Sequence, residues 1–225
     1  MSRVNLVPRL ADDRVAAYLE LEQDMLFAHM SPDERLTFID RSLAIGRQQA
    51  APYIGEDVMA LAPRLGATVA VIETDNRVAG VTLRAEHDAR THLITVYRKS
   101  IAEVHRLLEQ VQPGLWDEQQ TLALHVSHEL FHHLEATRIT PVHEQLPSVV
   151  TFRVGRFAVT RARARRCREI AAHAFAKELL GLPFLPNAVD WLVLVGMGKW
   201  SELDLMAALE RAETALVTKN PAPHW

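Results

Sequence analysis

Cysteine is almost absent from this chain: Cys167 stands alone among 225 residues. No intramolecular disulfide can form, and a zinc site of the cysteine-rich structural kind is excluded with it. Long hydrophobic runs are missing too. The longest, WLVLVGMG at 191 to 198, is far too short to span a bilayer, and the opening MSRVNLVPRLADDR lacks the apolar run of a signal peptide. These absences predict a cytoplasmic protein in a reducing setting, with no membrane partner. An excess of charge is also lacking. A formal net charge of -3 and a pI near 6.4 give no global electrostatic reason to expect nucleic acid or an anionic membrane as the main partner. No internal repeat, low-complexity tract or linker breaks the chain.

What remains is an ordinary globular composition, 48% hydrophobic and 24% charged, enough to bury one good core. Period and punctuation divide it. RVAAYLELEQDMLFAHM has apolar residues at mixed three and four spacing and predicts a helix. Ser31-Pro32-Asp33-Glu34 then has the form of a capping box with proline at the first helical position, and predicts a second helix to about Gln49. EDVMALAPRLG reads as a short helix stopped by Gly66. After it the period changes from 3.6 to 2: ATVAVIE, VAGVTLRAE and THLITVYR alternate and are β-branched, with turns at Asp75-Asn76 and Asp88-Ala89-Arg90, so a small antiparallel sheet of about three strands is predicted.

Helical pattern returns in SIAEVHRLLEQV, breaks at Pro113-Gly114 and restarts from Asp117 as DEQQTLALHVSHELFHHLEA. Residues 138 to 160 read as strand or loop. ARRCREIAAHAFAKELLG is a further helix, stopped by Gly181 and Pro183, and SELDLMAALERAETAL is another, capped by Ser201 and followed by a tail expected to fray. The fold class is α+β.

The chemistry is concentrated on the helix of residues 117 to 136. His128-Glu129-Leu130-Phe131-His132 fits H-E-x-x-H: histidines four apart share one helix face and can reach one zinc ion, while Glu129 is rotated enough to address a water on it. Leu122, Val126, Leu130, Phe131 and Leu134 cover too much of the circumference for a solvated surface helix. With a single cysteine, the composition favours an open site with three protein ligands and a place for water. The third ligand should come from a helix packed alongside, and CREIAAHAFAKELLGLP is the best candidate. Glu169 and His173 are four apart there, with Ala172 and Ala176 small enough for close approach. Glu169 would complete a His, His, Glu set and His173 would donate to a ligand or a reacting oxygen; alone, Glu169 also reads as a solvated helix residue.

HELFHHL followed by REIAAHAFAKELLGLP resembles the ImmA/IrrE family of metallopeptidases, whose motif pairs HELGH with a later helix of the form E-x-x-A-N-x-F-A-x-x-L-L-M-P. Glu169, Ala172, Phe175, Ala176, Leu179, Leu180 and Pro183 match it, with one extra residue before the proline. The resemblance covers residues 55–185, leaving an N-terminal helical segment, 1–54, and a C-terminal helical extension, 186–225. It implies a zincin-like arrangement of sheet and metal helices, with His128, His132 and Glu169 as zinc ligands and Glu129 as general base. It further implies a peptidase that cuts a helix-turn-helix repressor and thereby releases stress-response genes. Three departures bear on substrate fit: Phe131 replaces the family's glycine and is expected to crowd the space beside the metal, His173 replaces its asparagine, and the connection between the two helices, from about 138 to 160, is longer than the family's. His173 or Tyr97 would supply a second electrophile.

Seven arginines lie between Arg153 and Arg168. A solvated face with salt bridges is the reading preferred for them; without interleaved aromatics, nucleic acid is the minority one. Two rivals to the peptidase stand beside it: a non-catalytic, zinc-stabilised partner-binding protein, and a DNA-binding regulator using the arginine run.

Overall fold

A computed structural model describes residues 6–78, 81–155 and 157–217. Part of the second expected strand, Arg156 and the C-terminal tail lie outside the described residues.

The N-terminal segment wraps the metal helices. α1 (Val7–Leu10) leads into α2 (Asp13–Leu21), which Asp12 caps by accepting from the Arg14 and Val15 amides. α2 ends well before the sequence pattern does. Asp24 ends it usefully: its carboxylate accepts from Leu26 N, turning the chain, and from Arg165 N and Arg166 N at 2.7 and 2.9 Å. α3 (Pro32–Ala50) starts at the expected box, with Ser31 and Glu34 bonding each other's backbone amides. α4 (Val58–Arg64) is stopped by Gly66 at φ 91°, a left-handed conformation that glycine adopts without strain.

The sheet differs from the expectation. β1 (Thr68–Ile72), β5 (Leu93–Tyr97) and β4 (Ala85–Asp88) form a mixed sheet in the order β1-β5-β4, with β1 parallel to β5 and β4 antiparallel to it. β2 (Asn76–Val78) and β3 (Val81–Leu83) pair only with each other. The intervening hairpin thus carries the chain back so that β1 and β5 run the same way; three strands in simple succession would have been antiparallel. The β4–β5 turn falls where expected, with Asp88 Oδ1 accepting from Arg90 N at 2.8 Å and His92 closing it at φ 57°.

α5 (Arg98–Val111) follows β5 directly, and α6 (Glu118–Thr137) carries the H-E-x-x-H motif behind a capping box of Asp117 and Gln120. Residues 138 to 160 hold α7 (Val142–Gln145), then β6 (Val149–Val154) and β7 (Phe157–Ala162), an antiparallel hairpin that exposes Phe152, Phe157 and Val159. α8 (Arg166–Leu180) is stopped by Gly181 at φ 63°. α9 (Ala188–Gly196) and α10 (Glu202–Val217) complete the fold, the latter opened by Ser201 and Asp204 bonding across its first turn.

α8 lies between α3 and α6, and its inner face is almost wholly apolar: Cys167, Ile170, Ala171, Ala172, Ala174, Phe175 and Leu179 are buried. Burying such a face supplies the main driving force for docking α8 on α6. No helix of the described residues is long and apolar enough to cross a membrane.

Candidate metal centre

α6 and α8 bring three ligand atoms together. His128 Nε2 lies 3.1 Å from His132 Nε2 and 3.2 Å from Glu169 Oε2, and the last two atoms are 3.4 Å apart. Zinc with bonds of 2.0–2.1 Å spans ligand pairs about 3.3 Å apart when tetrahedral, so this triangle has the size of one face of that tetrahedron. The donor set of two imidazoles and one carboxylate also suits zinc. Among the described residues, these are the His, Cys, Asp and Glu side chains that could together hold a metal ion.

The electrostatics agree with a cation there. Burial opposes the charged carboxylate of Glu169, but His128 and His132 beside it outweigh burial and hold its pKa far below the usual range. Burial likewise pushes His132 down, yet Glu135 and Glu169 more than compensate and raise it to about 9. The pocket therefore stabilises positive charge between its carboxylates, which a metal would supply in place of the proton.

His132 Nδ1 faces Arg168 Nη2 at 3.0 Å and Glu135 Oε2 at 3.9 Å. Arg168 can only donate, so Nδ1 accepts as placed; a metal on Nε2 would put the proton on Nδ1, and Arg168 would then have to turn away for Glu135 to take over as the acceptor behind the histidine. Glu135 is itself fixed: Val142 N donates to Oε1 at 2.9 Å and Arg168 Nε lies 3.0 Å from Oε2. The H-E-x-x-H motif does not point to this residue; its position three after His132 is the one signal for it in the sequence.

His173 sits one turn after Glu169, nine-tenths buried, its ring centroid 4.6 Å from that of His128. Burial, then the neighbouring His128, drive its pKa well below 6.5, so the ring is neutral, and its buried Nδ1 has no partner among the described residues. Tyr97 is committed elsewhere: it donates to Glu86 and accepts from Asn76 Nδ2 at 2.8 Å. His133 turns away from the triad to Leu65 O at 3.2 Å and His87 Nε2 at 3.3 Å. Cys167 is buried and its thiol pushed up to about 12, the behaviour of a core residue.

Phe131 overturns the expectation of crowding. Its side chain is fully buried, packing on Phe175 with centroids 5.7 Å apart and edge-on against the His132 ring at 6.1 Å, and it forms no part of the cavity wall. Of the arginines, Arg166 pairs with Glu20 at 3.0 Å and Arg168 with Glu135, whereas Arg163 donates to His143 O.

A cavity of ≈ 680 Å³ reaches two of the three, His128 and Glu169, and includes Glu129 and His173 in its lining. Its remaining walls come from α2, the β3–β4 junction, α9 and α10, so residues outside 55–185 help enclose the site. The Arg84–Asp190 and Arg211–Glu22 ion pairs tie these walls together. No protein-family model, curated protein or solved structure matches the chain.

Proposed function

We propose that the protein is a zinc-dependent metallopeptidase. The observation that carries this reading is the triangle of His128, His132 and Glu169 opening on a cavity whose wall also holds Glu129. A zinc ion there would supply Lewis acidity and a water acidic enough to lose its proton near neutral pH. Glu129, on the same wall, would be the general base there and then the general acid that protonates the leaving amine. The neutral His173 ring, holding one N–H and forming part of the cavity wall, is suited to donate to the oxygen on which charge develops. The resemblance to the ImmA/IrrE family supports a protein substrate such as a helix-turn-helix repressor.

Glu129→Gln separates metal binding from chemistry. Elemental analysis should find one zinc per chain in both proteins, and cleavage of a quenched-fluorescent peptide library or of a co-incubated repressor should fall at least 100-fold in the variant. Equal cleavage by the two would defeat the assignment. Unchanged biological activity in the variant would instead favour a zinc-stabilised partner-binding protein.

A further inference from the structure

The cavity extends past the triad along α6, toward its N-terminus. Its lining includes Leu19, Leu124, Trp191 and Leu194 together with His125 and the Arg84–Asp190 pair. His125 is one turn before His128, about 4.5 Å along the helix axis. Its imidazole puts a hydrogen-bonding group on the cavity wall beside these apolar side chains.

Its tautomer follows from geometry. His125 Nδ1 lies 2.8 Å from Thr121 O, and a carbonyl oxygen can only accept, so Nδ1 carries the proton. Burial, followed by the Arg84 cation, holds the ring's pKa near 3, so it is neutral at any ordinary pH. Nε2 is then a lone-pair acceptor, and no donor within the described residues is bonded to it. Arg84 is engaged with Asp190 instead.

We infer that this end of the cavity is a specificity subsite for a tyrosine side chain of the substrate, with the aromatic ring among Leu124, Trp191 and Leu194 and its hydroxyl donating to His125 Nε2. An apolar slot alone would take phenylalanine as readily. An acceptor at the far end, left unpartnered by phenylalanine, turns the preference toward the side chain that brings a donor. The inference rests on the peptidase reading for its biological meaning, but the subsite itself is a binding property.

The test therefore uses binding as well as cleavage. Tyrosine hydroxamate and phenylalanine hydroxamate both carry a metal-binding head with the side chain next to it, and differ only in the hydroxyl. Calorimetry on the zinc-loaded protein should show the tyrosine compound binding about tenfold more tightly. His125→Phe should bring the two affinities together, and His125→Gln, which returns an acceptor, should restore part of the difference; circular dichroism checks that both are folded. Equal affinities in the unaltered protein, or binding of neither compound, overturn the subsite. Discrimination without any Glu129-dependent peptide cleavage keeps the subsite and removes the peptidase reading, whereas cleavage with no tyrosine preference does the reverse.

Discussion

Gly46 of α3 lies against the backbone of α8 so closely that a Cβ on it would stand 2.1 Å from Ala171 O and 2.8 Å from Ala174 Cβ. Neither neighbour can yield cheaply, because one is backbone and the other is fixed on the same helix. Ala171 is two residues past Glu169, so this contact sets how far α8 reaches toward α6. Gly46→Ala should cost at least the 1–3 kcal/mol typical of overpacking, although alanine is the better helix former. It should also weaken zinc binding by displacing Glu169. A melting curve and a zinc titration check both, and unchanged values in each would show that the α3–α8 contact does not position the ligand.

Phe131 offers a second test, since its ring fills the α6–α8 interface instead of the substrate space. Phe131→Ala should lower stability by about 3–5 kcal/mol through the cavity it leaves. It should not admit bulkier substrates. If denaturant unfolding were unchanged while long peptides were cut faster, the side chain would have to face the metal after all.

Glu135 should matter to the metal without touching it. Glu135→Gln keeps an oxygen for Val142 N but loses the charge behind His132, and zinc affinity measured by chelator competition should fall about 10- to 100-fold. Retention of full affinity would mean that His132 needs no carboxylate behind it.

Much of this architecture is legible in the amino-acid sequence. Caps at Ser31 and Asp117, stops at Gly66 and Gly181, and the spacing of His128 and His132 are local signals, each spanning less than two helical turns. What is not legible there is non-local. Strand direction depends on where the β2–β3 residues pair, and nothing in TLRAE marks Arg84 as the break between β3 and β4. The burial of Phe131 depends on which face α8 covers. Asp24 looks like a continuing helix residue in sequence, yet it caps α8 from 141 residues away. The walls of the cavity, drawn from α2, α9 and α10, lie far from the motif and carry no pattern of their own.

The buried histidines make the metal-free protein sensitive to acid, and the sign can be worked through. Burial lowers His125 to about 3 and His87 to about 4, while both titrate near 6.5 once unfolded. Between those values the unfolded chain holds more protons than the folded one, so stability rises with pH; it is complete above 6.5 and lost as pH falls toward 4. His132 has the opposite sign, being raised to about 9, so it adds stability below 6.5 that disappears as pH climbs through 9. The two windows do not overlap, and with chelator present stability should peak near pH 6.5 and fall on both sides. His125 and His132, the deeply buried ones, each contribute a slope of up to about 1.4 kcal/mol per pH unit, and the partly exposed His87 contributes less. Zinc should flatten the alkaline side, since a metal on Nε2 takes the place of the proton that His132 otherwise gives up. Urea unfolding at pH 5, 6.5 and 9, with and without zinc, reads all of this, and a chelated protein more stable at pH 5 than at 6.5 would contradict the burial of His125 and His87.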